Sequence, residues 1–149
     1  MNLINKRILI TAGEPASISS EITIKALKKL KNKTNAELII ITDPTLIKYE
    51  LENLNLSYKL NILNKNLNFK DNNYDYINII PIKLNEKIWF GILNKKNSDF
   101  VINSIQSSVD LLLQKKADAV VTNPINKFIM KSNKFKFNGH TEYLGHLSK

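Results

Sequence analysis

Three short polar segments carry the residue types that can handle an anionic small molecule. The first, Thr11 to Glu21, sets the hydroxyls of Ser17, Ser19 and Ser20 at a helix start, where free backbone N–H groups can hold an anion. The same loop also reads as a plain capped helix start. The second, Thr122-Asn123-Pro124-Ile125-Asn126-Lys127, offers two amides and an ammonium suited to carboxylate or phosphate. It reads equally well as a strand-to-helix turn with a surface lysine. In the third, Gly139-His140-Thr141-Glu142, the glycine allows close backbone approach and the imidazole can donate to phosphate or exchange a proton near neutral pH. A lone histidine is also a common structural residue.

Other chemistries are excluded or disfavoured. The chain has no cysteine, which removes disulfides, thiolate metal sites and thiol nucleophiles. Its two histidines, His140 and His146, lack the four-residue spacing of the zincin motif, so no complete metal site is expected in this chain. Glu142 and His146 are four apart and could pair on a helix surface. The first loop is neither a Walker loop nor a GxGxxG turn.

The elements that must position these segments follow from periodicity. Arg7 to Thr11 and Glu37 to Thr42 are apolar runs of strand length. Between them, Ile18, Ile22, Ala26 and Leu30 recur every four residues and predict a helix from Ser17 onward with that stripe inward. Ser17 and Ser20 are its candidate N-caps, and Lys25, Lys28, Lys29, Lys31 and Lys33 read as its solvated side. Asp43-Pro44 opens a second helix through Leu54. Ser57 to Ile62 and Tyr76 to Ile82 read as strands around an Asn-rich loop, Asn64 to Asn73. A long helix from about Ser98 to Lys116 has Val101, Ile105, Val109 and Leu112 on one face, and Asp118 to Thr122 is a last strand. Alternating strands and helices predict an α/β fold with a largely parallel sheet, one unit over residues 1–149. In such a sheet all three polar segments can meet beyond the carboxyl ends of the strands. The chain stops just inside a new helix begun near Gly139, and we read it as truncated.

Composition narrows the partners. The 149 residues carry a net charge of +9, yet 21 of the 22 basic residues are lysine, and Lys, Asn and Ile together make 63 residues. That bias looks like codon drift, whereas a nucleic-acid groove favours arginine and interleaved aromatics. Nucleic acid is not expected, and no membrane span is expected either. Met1 to Arg7 runs into the first strand without a signal-peptide pattern, which gives an expectation of a cytoplasmic protein.

Taken together, three blocks resemble one family. Ile10-Thr11-Ala12-Gly13-Glu14-Pro15-Ala16 is similar to the ITxGDPAGIGPE loop of 4-hydroxythreonine-4-phosphate dehydrogenases. Asp118 to Lys127 resembles their DAxVTAPxNK block, and Phe137 to Leu144 their FPGHTEYL block. The resemblance spans the chain and implies the N-terminal portion of such an enzyme. It further implies isocitrate/isopropylmalate dehydrogenase-like α/β/α layers, a homodimer, and NAD- or NADP-dependent oxidation, with decarboxylation, of 4-phosphooxy-L-threonine in pyridoxal phosphate biosynthesis. His140 and Thr141 match its substrate-binding pair, with Asn126, Lys127 and Glu14 as further candidate contacts for the phosphorylated substrate. A divalent metal is implied too, its ligands expected beyond Lys149, so the 149-residue chain alone is expected to be inactive; apolar helix faces left uncovered by its abrupt end are expected to make it prone to aggregate or dependent on a partner. Departures fall in the loops: Glu14 for Asp, serines at 17, 19 and 20, and Asn123 for Ala. The alternative reading is a non-catalytic α/β module that binds a phosphorylated small molecule or a partner chain.

Overall fold

The computed structural model describes residues 6–64, 67, 75–131 and 135–149. The readings for Met1 to Asn5 and for most of Asn64 to Asn73 lie outside them. Five strands, β1 (Arg7–Thr11), β2 (Glu37–Thr42), β3 (Lys59–Ile62), β4 (Tyr76–Pro81) and β5 (Ala119–Val121), form one sheet in the order β3-β4-β2-β1-β5. Every pairing is parallel, as the alternation of strands and helices predicts. The helices are α1 (Ser19–Leu30), α2 (Pro44–Asn53), α3 (Ser98–Leu113), the single turn α4 (Lys127–Met130) and α5 (His140–Leu147).

Strand alternation sorts the core onto the two faces of the sheet. Ile40 of β2 and Ile77 and Ile79 of β4 pack with Ile24 of α1 and Ile47 and Leu51 of α2. On the opposite face Leu9, Ile39, Ile41 and Ile80 pack with Leu111 of α3. A third cluster, centred on Phe100, Val101 and Ile105 of α3, takes in Met130, Phe135 and Tyr143 and so docks α4 and α5. Each such fully buried side chain stabilises the fold by about 1.5–3 kcal/mol. Small residues let α3 lie close to the sheet: buried Ser104 Oγ donates to Ile41 O (2.7 Å) and accepts from Ala12 N (2.8 Å).

The helix limits have local causes. Asp43 caps α2 by accepting from Thr45 N at 2.8 Å, with Pro44 in the first turn. After α3, Lys115 turns left-handed (φ 56°) and Lys116 N reaches back to Leu111 O, which ends the helix at Leu113 and not at Lys116. The α1 stripe is a correction. Ile18 is 60% exposed and Ile22, Ala26 and Leu30 also face outward, while Ser19, Ser20, Thr23 and Ile24 are buried. The helix is rotated because its polar face has hydrogen-bond partners in a loop a hundred or more residues away. Neither Ser17 nor Ser20 occupies the N-cap position, which falls to Ile18 without a side-chain cap.

Candidate functional site

Chain direction reverses at β1. From it the chain runs through β2 toward β3 and β4, then returns by α3 to place β5 on the other side. The carboxyl ends of β1 and β5 therefore flank a topological switch point, where open α/β sheets bind ligands. The first two polar segments leave the sheet at this point and are joined there. Asn123 N donates to Thr11 Oγ1 (3.0 Å), and Asn123 Nδ2 donates to Thr11 O (2.8 Å) and Thr23 Oγ1 (2.7 Å). Glu14 N donates to Pro124 O at 2.9 Å. Gly13 makes this closeness possible: it is left-handed (φ 72°), and a Cβ there would lie 2.5 Å from Ser19 Oγ and 2.7 Å from Asn123 Cβ.

The third segment meets the second. A Cβ on Gly139 would sit 3.4 Å from Lys127 Cε and 3.8 Å from Lys127 Nζ, so the lysine stem runs over the start of α5. His140 is the first residue of that helix. Its Nε2 is buried without a hydrogen-bond partner, singular among the described side chains. Burial, and then the charge of Lys127, hold its pKa below the ordinary 6.5. Thr141 is exposed beside it. An ammonium, an imidazole nitrogen, a hydroxyl and the free N–H groups of a helix start are thereby gathered in one place.

Other candidates serve the fold. Asn126 Oδ1 caps α4 through Ile129 N (3.1 Å). Ser17 Oγ donates to Glu14 O (2.8 Å), and Ser19 Oγ lies 3.4 Å from Pro124 O, so both hydroxyls are engaged within the loops. Glu14 is buried at 4% exposure; its Oε1 accepts from Ala16 N, and burial raises its pKa above 4.5. Glu142 and His146 do not pair. Glu142 Oε2 accepts from Asn138 N (2.7 Å) at the helix start, and His146 packs on Phe137 with centroids 5.0 Å apart. Sequence reasoning passed over Asn123 as a hub, since an asparagine after a strand carries no sign of partners so distant in the chain.

Among the described residues no three His, Cys, Asp or Glu side chains come together as a metal-ligand set. The divalent ion implied by the resemblance thus finds no fitting site in them. No described helix is long and apolar enough to cross a membrane.

Known proteins share this fold. The family described as pyridoxal phosphate biosynthetic protein PdxA matches residues 33–149. A relative from Wigglesworthia glossinidia brevipalpis, named 4-hydroxythreonine-4-phosphate dehydrogenase, is 38% identical over 99% of this chain. A crystal structure of a protein of that name from Burkholderia phymatum superposes with a TM-score of 0.86 at 25% identity over 96% of the chain. One from Klebsiella pneumoniae does so at 0.83 and 27% identity, also over 96%. The chain spans 43% of the Wigglesworthia protein, 43% of the Burkholderia chain and 44% of the Klebsiella chain. With a matched segment covering most of its length and a shared parallel α/β sheet, the chain belongs to the PdxA family of pyridoxal phosphate biosynthetic proteins.

Proposed function

We propose that this chain supplies the substrate-holding face of a 4-hydroxythreonine-4-phosphate dehydrogenase, the name its relatives carry. The observation that carries the reading is the buried, unpartnered Nε2 of His140 beside Lys127 at the start of α5. In this reading the reaction oxidises the secondary alcohol of 4-phosphooxy-L-threonine, and the resulting β-keto acid loses carbon dioxide to give an aminoketone phosphate for pyridoxal phosphate synthesis.

Each group has a role that its surroundings support. Lys127 and the first N–H groups of α5 attract the substrate's phosphate or carboxylate. His140, held neutral at pH 7, offers Nε2 as an uncharged hydrogen-bonding atom, and with the Thr141 hydroxyl fixes the substrate in register. Glu14 and Asn126 shape the neighbouring loops. A nicotinamide cofactor, NAD or NADP, supplies the hydride acceptor when bound. Homodimer assembly and a cytoplasmic location belong to the same proposal.

Calorimetric titration of 4-phosphooxy-L-threonine into the wild-type chain and H140A tests it. Binding about tenfold or more weaker in H140A is expected, the scale of one lost hydrogen bond to a charged group. Equal affinity in the two would overturn the assignment.

A further inference from the structure

We infer that a second groove, between α1, α2 and the turn at Gly91, binds an organic cation of the alkylammonium or guanidinium type. The groove has a volume of 610 Å³ and is lined by Ser17, Glu21, Tyr49, Glu50 and Phe90, with neither His140 nor Lys127 in its wall. Its position is fixed because Gly91 N donates to Ala16 O at 2.8 Å, which ties the turn carrying Phe90 to the first loop.

Two independent features point to a cation. The first is Glu50. Only 6% of this residue is exposed, and its carboxylate lines the groove without a hydrogen bond or ion pair among the described residues. A carboxylate that is largely desolvated and has no hydrogen-bonded partner gains from a cation seated against it. Burial first, and then the neighbouring Glu21, push its pKa up, while Lys25 acts the other way. Lys25 is itself bound in an ion pair to Glu21 and does not line the groove, whose wall carries two carboxylates in a chain of net charge +9. The second feature is the aromatic wall. Tyr49 and Phe90 stack with centroids 4.8 Å apart at 17°, and both rings are partly exposed. Ring faces beside a carboxylate attract an organic cation through both the π quadrupole and the charge.

A bare metal ion is the poorer fit. Two carboxylates with no third acidic or histidine ligand fall short of the six to eight oxygens that calcium takes, and an aromatic wall provides none.

The test uses the full chain and two probes of similar size and different charge, n-butylammonium and n-butanol. Amide shifts of Gly91 and Tyr49 are followed by two-dimensional NMR during each titration. The ammonium should saturate these shifts at a concentration at least tenfold below any effect of the alcohol. Glu50→Gln keeps the shape and removes the charge, and is expected to weaken ammonium binding about tenfold. Phe90→Leu is expected to weaken it about threefold, while H140A leaves it unchanged. Equal shifts from ammonium and alcohol, or unaltered ammonium binding in Glu50→Gln, would overturn the inference. Because the substrate-site variant is a control here, failure of this proposal and failure of the proposed function are read separately.

Discussion

One buried and one half-buried ionisable side chain, Glu14 and His140, set opposite pH dependences. Glu14 ionises above 4.5 when folded, so between 4.5 and its folded value the native state holds more protons than the unfolded state, and stability falls as pH rises through that window. E14Q retains an oxygen for Ala16 N and is expected to be more stable than wild type at pH 7, by about 1 kcal/mol or less, with the difference gone below pH 4.5. Urea unfolding at pH 4 and pH 7 measures it. His140 works in reverse: its folded pKa lies below 6.5, so the unfolded chain takes up the proton first and stability is lost as pH falls below 6.5. H140Q should lose less stability than wild type between pH 7.5 and pH 5.5, read as the shift in melting temperature. At this scale the sequence indicated His140 and Lys127, because a glycine-histidine pair at a helix start is a local pattern. It marked Asn123 only as a possible anion contact and did not mark Glu50, because the surroundings of both are assembled from distant segments.

At the scale of elements, the strands and α3 follow from runs and periods along the chain; β3 begins two residues later than its run, and α3 ends three residues earlier, where Lys115 turns left-handed. The facing of α1 was not legible in the same way. Apolar spacing marked Ile18, Ile22, Ala26 and Leu30, but the helix buries Ser19 and Thr23 instead, since Pro124 O and Asn123 Nδ2 satisfy their hydroxyls. A one-turn helix such as α4 has too few residues to show a period. Two variants test how these elements are joined. G13A forces a Cβ to within 3.0 Å of three atoms at a left-handed position, and is expected to cost at least about 2 kcal/mol in chemical denaturation. S104A leaves Ala12 N and Ile41 O without their shared partner, and is expected to cost about 1–3 kcal/mol per unsatisfied group.

For the molecule as a whole, a parallel sheet was legible from the alternation of elements, while the order of its strands was not, because pairing between distant runs leaves no local mark. Several large apolar side chains stay at the surface, among them Trp89 (63% exposed), Ile92 (66%) and Phe128 (75%). The 149-residue chain is therefore expected to self-associate as its concentration rises, which sedimentation velocity resolves. The strand order also has a consequence for synthesis. β1 receives its partner β2 early, but roughly 75 residues separate the end of β2 from the start of β5. At about 5–20 residues per second, a ribosome takes several seconds to deliver them. Through that interval one edge of the nascent sheet stands open, and the Pro124 loop, which joins the loop at Gly13, arrives only after β5.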